Sequence, residues 1–200
     1  MSQDATIQQG FDDAQREVAA DLYDAAFGAK LSIAIPDTRC RLAVLRQGFE
    51  PSSSFVAMSG GRVVGIAGFK TAQGAFTGGI TFGLLKRVLG LAGALRAGVV
   101  LSLFDRACVR GQLLMDGIAV SPSMRGSGIG TRLLHRLIEH AREQGYRSIR
   151  LDVIDTNPAA RRLYERVGFK AIKTERFAEL KWLLGFEAAT QMEYPLQPKA

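Results

Sequence analysis

The six residues RGSGIG, Arg125 to Gly130, constrain this chain more than any other stretch. They stand between an apolar run, LLMDGIAV (113–120), and a helix-patterned segment, TRLLHRLIEHAREQG (131–145). A strand must therefore hand over to a helix within a few residues, through a turn dominated by glycine. The first turn of a helix has N–H groups without intrahelical partners and the positive end of the macrodipole, which favours an anion such as phosphate. Glycine admits positive φ and lets a ligand reach the backbone without a Cβ in the way. Arg125 adds a fixed charge able to bond two phosphate oxygens.

Two phosphate loops can be tested against the stretch. A Walker loop ends in Gly-Lys-Ser/Thr, whereas Gly130 is followed by Thr131 and Arg132. A dinucleotide fingerprint needs G-x-G-x-x-G, and counting from Gly126 its last position is Thr131. Neither fits. The pattern present is R-x-x-G-x-G. A second strand pattern, SIRLDVI (148–154), and a second motif, NPAARRLYERVGF (157–169), follow it. In that motif Asn157 is a favoured N-cap and Pro158 has the fixed φ suited to the first helical position. Helical spacing then sets Asn157, Ala160, Arg161 and Tyr164 along one face.

The loop together with N-x-x-A-x-x-x-Y-x-x-x-G-F, carried by Asn157, Ala160, Tyr164, Gly168 and Phe169, resembles the GNAT family of N-acetyltransferases. The close likeness is confined to 113–169; beyond it only the order of elements agrees. The resemblance implies an α/β GNAT (acyl-CoA N-acyltransferase) fold, a mixed twisted sheet flanked by helices, as one domain over 1–200. It implies acetyl-CoA as acyl donor, its pyrophosphate cradled by Arg125, Gly126, Ser127, Gly128, Ile129, Gly130 and Thr131. The backbone of Ile118, Ala119 and Val120 would pair with the pantetheine arm. Asn157, Ala160, Arg161 and Tyr164 would complete the donor site, with Arg161 and Arg162 as surface or 3′-phosphate contacts. Tyr164 is the expected general acid, since a neutral phenol can protonate a departing thiolate.

Asp116 is an acidic side chain inside an apolar strand, costly unless partnered or open to a cleft. Alternation sets it with Leu114, Ile118 and Val120 on one face, opposite Leu113, Met115, Gly117 and Ala119. By family position it is a candidate general base; otherwise it caps a bulge or pairs with an arginine.

The remaining sequence bounds the rest. Two hundred residues, 47% hydrophobic, suit one domain with a sizeable core. The formal charge is +7, but the arginines are dispersed along amphipathic segments and aromatics are 8%, which argues against a nucleic-acid surface. Cys40 and Cys108 belong to no CxxC or Cys/His pairing, so neither a metal site nor a disulfide is expected. An acidic, polar N-terminus without a signal-peptide core points to the cytoplasm.

In chain order, 12–27 reads as an amphipathic helix and Pro36 opens another; the resemblance sets both, with 176–190, beside the acceptor cleft. No signature there names the amine, so a small molecule and a protein amine both stay open. SFVAMS (54–59) and RVVGIAGFK (62–70) form a hairpin about Gly60-Gly61. Residues 71–112 form an insertion, apolar over 80–104 apart from Lys86, Arg87 and Arg96. No window of about 20 residues is free of charge, so two short helices are expected and not a membrane span. They would pack on the core, line the substrate, or join a homodimer. His135 and His140 fall off the apolar face of the helix after the loop and read as surface residues. FKAIKTERF and QMEYPL (191–196) read as closing strands, with Trp182, Leu183, Leu184 and Phe186 packing between them. The functional expectation is acetyl transfer to a primary amine by direct attack. The alternatives are a non-catalytic acyl-CoA-binding domain and an acyltransferase for a longer acyl-CoA.

Overall fold

The computed structural model describes residues 5–103, 105–177 and 185–196. Seven strands form one sheet: β1 (Thr6–Gln9), β2 (Ser54–Ser59), β3 (Arg62–Lys70), β4 (Gln112–Val120), β5 (Ser148–Ile154), β6 (Lys170–Arg176) and β7 (Ala188–Pro195). Their order is β1-β2-β3-β4-β5-β7-β6, and only the β4–β5 pair is parallel. The β2–β3 hairpin turns through Gly60 and Gly61, both at positive φ (55° and 74°), as the two-residue turn requires. β1 was not anticipated. Its TIQQ carries no apolar alternation and is held by pairing with β2, Thr6 opposite Met58. β7 likewise begins at Ala188, before the expected 191.

The helices are α1 (Arg16–Leu31), α2 (Thr38–Gly48), α3 (Phe82–Ser102), α4 (Ile129–Glu143) and α5 (Pro158–Val167). α4 lies on one face of the sheet, its Leu133, Leu134 and Leu137 fully buried against Phe55, Leu113, Ile149 and Leu151. Gly65 on β3 permits that approach, because a Cβ there would stand 2.8 Å from Ile129 Cγ2. α1 and α2 cover the other face through Leu22, Tyr23, Leu45 and Phe49, packed on Val56 and Ile66. Phe76, from the insertion, enters this second core and stacks on Phe49 at 4.2 Å.

Phe82–Ser102, within the apolar insertion, do form two helical segments, because Gly90 breaks α3 with φ 73°. They rest on α2 and the α1–α2 connection through Ala34, Val44, Leu84, Leu85, Ala94 and Ala97, away from the sheet. Among the described residues no helix is long and apolar enough to cross a membrane.

Three expectations need correction or relocation. Simple alternation along β4 fails at a bulge: Gly68 pairs with Gly117 and Phe69 with Met115, leaving Asp116 unpaired between them. Leu113, Met115, Ile118 and Val120 therefore all pack toward the α4 core, while Ala119 joins the α1 core. His140 is no solvent-facing residue. Its ring is half-buried against Phe55 (5.3 Å) and Phe69 (5.2 Å), and burial lowers its pKa. Trp182, Leu183 and Leu184 lie outside the described residues, while Phe186 is buried with its edge on Phe177.

Candidate active site

The site originates in a defect of strand pairing. The parallel ladder runs through Gln112–Ser148, Leu113–Ile149 and Leu114–Arg150 and then ends, although β4 continues to Val120 and β5 to Ile154. The two strands part, and a cleft of about 530 Å³ is bounded by the end of β4, the start of α4 and one face of α5. Eleven of the anticipated donor-site residues line it: Ile118, Ala119, Val120, Arg125, Gly126, Gly128, Ile129, Gly130, Thr131, Asn157 and Ala160.

The floor of this cleft is a helix start without a cap. Gly126 and Gly128 both have φ 82°, a conformation strained for any side chain that carries a Cβ. Gly128 is the N-cap of α4 and has no side chain to offer its N–H groups. The first intrahelical bond, Arg132 N–H to the Gly128 carbonyl at 3.0 Å, comes after the N–H groups of Ile129, Gly130 and Thr131. Donors, dipole and Arg125 thus converge on one spot, an arrangement that favours an anion such as phosphate. Arg125 Nε donates to the Val120 carbonyl at 3.3 Å, which tethers the arginine at the mouth. Gly130 has a different reason: a Cβ there would stand 3.0 Å from Leu163, so its hydrogen lets α4 and α5 close up.

Not every predicted residue faces the cleft. Ser127 turns inward and donates to the Met124 carbonyl at 2.6 Å, closing the loop on itself. Arg161 forms an exposed ion pair with Glu165 at 2.9 Å, and the arginine of α5 that lines the cleft is Arg166. Arg166 lay within reach of sequence reasoning. Ala159, Leu163 and Arg166 recur at helical spacing and form the cleft face of α5, adjacent to the face chosen from Asn157 and Tyr164. Ala25 and Ala26 of α1 also line the cleft, and only the tertiary fold brings them there. Asn157 caps α5 as expected, its Oδ1 accepting from the Ala160 N–H at 3.1 Å.

The two residues expected to move protons sit outside the cleft lining. Tyr164 is 5% exposed, packed beside Phe169 at a centroid distance of 6.0 Å. Burial pushes its hydroxyl pKa well up, and the hydroxyl has no hydrogen-bond partner among the described residues. It is therefore a neutral phenol. Asp116 stands at the β4 bulge, Oδ2 accepting from Thr77 Oγ1 at 2.8 Å. Burial raises its pKa, against the opposing pull of Thr77, Lys70 and Lys30. Burial, and then the Asp116 charge, likewise raises the pKa of Tyr23 on α1. The bulge thus turns Asp116 toward α1, and Thr77, which no sequence signal marked, comes to it from the insertion.

A glycine-built, uncapped helix start in the opening between two parting parallel strands is the arrangement the motifs implied. Residues 17–169 match the sequence model of the acetyltransferase (GNAT) family. The chain belongs to the GNAT family. Among curated relatives of this GNAT chain is N-acetyltransferase 8F1 of Rattus norvegicus, 34% identical over 87 residues, which are 43% of this chain and 38% of the relative. The chain's matches span less than half the length of such curated relatives. An N-acetyltransferase structure from Staphylococcus aureus Mu50 superposes with a TM-score of 0.70 at 17% identity, over 95% of this chain and 100% of that one. The yncA protein of Salmonella typhimurium, solved with its cofactor acetyl-CoA, superposes with a TM-score of 0.60 at 21% identity, over 98% of this chain and 96% of that one. At these identities the structural likeness speaks for the fold alone.

Proposed function

We propose that the protein transfers an acetyl group from acetyl-CoA to a primary amine, by direct attack within a ternary complex. The observation that carries this reading is the cleft between β4 and β5 with the uncapped start of α4 at its floor. Its size, its free N–H donors and its two arginines, Arg125 and Arg166, suit a pyrophosphate-bearing donor. The family membership and the acetyl-CoA bound to the Salmonella protein favour acetyl-CoA among such donors.

In this reading the N–H groups of Ile129, Gly130 and Thr131, with Arg125, hold the pyrophosphate. The edge of β4 facing β5, unpaired beyond Leu114, is free to bond an extended amide-bearing arm along Ile118, Ala119 and Val120. The bound donor supplies a thioester carbonyl as electrophile. Backbone N–H groups near Val120 polarise that carbonyl, fixed dipoles needing no reorganisation as charge develops. Asp116 receives the proton of the attacking amine, directly or through water, and its raised pKa makes it a stronger base than an exposed carboxylate. Tyr164, kept neutral by burial, donates the proton that the departing sulfur takes up. Residues 12–47, 176–177 and 185–190 border the acceptor.

The first test is calorimetric titration of acetyl-CoA into the wild type and Arg125→Glu. Micromolar binding by the wild type, weakened by more than ~30-fold in the variant, is expected from losing a bidentate cation and adding a charge. A folded wild type that binds no acetyl-CoA would end the assignment. With binding in hand, thiol release identifies the amine, and Tyr164→Phe should lower kcat by about 100-fold. A kcat unchanged at every pH would remove Tyr164 from the proton path.

A further inference from the structure

The second segment of α3 exposes more apolar bulk than a helix that only covers a core. Its inward face carries Ala94 and Ala97, both fully buried, with Val100 and Leu101 packed against the same cluster. Four further large apolar residues face water: Leu91 is 56% exposed, Leu95 55%, Val99 66% and, just past the helix end, Leu103 58%. Steps of four set them in a single stripe. Helices packed on a core ordinarily show the opposite pattern, as α4 does with three buried leucines and exposed His135 and Glu139. One exposed leucine needs no explanation, but a continuous stripe marks a surface that something covers.

The charges around the stripe select its occupant. α3 carries Lys86, Arg87 and Arg96, all exposed, and no carboxylate; the whole stretch 51–104 contains neither Asp nor Glu. Arg96 follows Leu95 directly, and its Nη2 donates to the Ile33 carbonyl at 3.2 Å, which holds the cation beside the stripe. A second copy of the chain fits badly. A two-fold contact sets a patch against itself, so these cations would meet their own images with no acid on α3 to answer them. A span of the bilayer fails as well, because Gly90 breaks the helix. An apolar stripe flanked by cations, with Asp105 just past its end paired to Lys70 at 2.6 Å, is the pattern of a helix lying in the plane of an anionic membrane surface.

We propose that α3 docks the protein on anionic phospholipid, with Leu91, Leu95, Val99 and Leu103 entering the acyl boundary and Lys86, Arg87 and Arg96 meeting the headgroups. The inference does not depend on the acetyl-transfer reading. It places the catalytic domain at a membrane surface while leaving the β4–β5 cleft, on a different part of the fold, open to solvent.

Flotation of the full chain with vesicles tests it. The protein should float with vesicles of phosphatidylcholine plus phosphatidylserine, far less with phosphatidylcholine alone, and less again in high salt. Leu95→Ser/Val99→Ser should reduce recovery by at least ~10-fold while circular dichroism and acetyl-CoA affinity stay as in the wild type. Lys86→Glu/Arg87→Glu, which leaves every buried residue in place, should cut recovery on anionic vesicles by a similar factor of about 10. Absence of flotation by the wild type, equal flotation on neutral and anionic vesicles, or undiminished flotation of both variants would each overturn the proposal. So would a doubled mass in sedimentation velocity that the Leu95→Ser/Val99→Ser change abolishes, without vesicle recovery, because the stripe would then belong to a second copy.

Discussion

Two helices of this protein start in opposite ways. α5 begins at Asn157, whose side chain takes up the Ala160 N–H at 3.1 Å. α4 begins at Gly128, left-handed and without a side chain, so its first-turn donors stay available. α2 and α3 side with α5: Asp37 caps α2 through the Cys40 N–H at 2.8 Å, and Thr81 caps α3 through the Leu84 N–H at 3.3 Å, whereas α1, also without a side-chain cap, continues directly from a 3-10 turn at Asp13–Gln15. A cap satisfies orphan donors internally and stabilises the fold by about 1 kcal/mol. The α4 start forgoes that stabilisation and keeps its donors for a ligand. The difference separates a helix start whose donors are satisfied within the chain from one whose donors stay open to a ligand.

The comparison can be broken at its strongest point first. Gly128→Asp adds a negative charge and a Cβ at φ 82°, so acetyl-CoA affinity should fall by about 100-fold in calorimetry. Unchanged affinity would mean that the α4 start is not the donor site. A smaller effect is expected from the arginines of α5. Arg166→Glu should weaken binding by about tenfold, whereas Arg161→Glu, already paired with Glu165 and away from the cleft, should stay within about twofold. If the two variants behave alike, the cleft face of α5 is wrongly drawn. The smallest effect sharpens the other half of the comparison. Asp37→Ala should lower Tm by about 2–4 °C, with donor affinity unaltered. Asn157→Ala should show the same loss of stability and, because Asn157 also borders the cleft, some loss of affinity. Equal affinity in both would reduce Asn157 to a cap alone.

Much of this was legible in the chain because it is local. The R-x-x-G-x-G loop, the Asn157 cap, the Gly60-Gly61 hairpin and the apolar face of α4 are set by interactions within a few residues, which sequence spacing reports directly. The departures arise where distant segments meet. β1 exists because β2 offers it an edge, not because TIQQ favours a strand. Asp116 points to α1 because a bulge against β3 displaces the alternation, and a bulge depends on both strands. His140 looked exposed on a helical wheel, yet Phe55 and Phe69 from two strands close over it. Thr77, Ala25 and Ala26 reach the site region from segments that share no motif with it.

By itself the sequence determined the family, the α/β class, the glycine loop and the identity of most residues that line the β4–β5 cleft. These follow from backbone chemistry that glycine, proline and capping side chains write into short stretches. Only the tertiary structure decided where the cleft opens, because the parting of β4 from β5 after Leu114 is a relation between strands separated by α4. It alone decided which arginine of α5 faces that cleft, and that Leu91, Leu95 and Val99 of α3 face water while its Ala94 and Ala97 face the core. Periodicity tells which residues share a side of a helix; packing decides which side is covered.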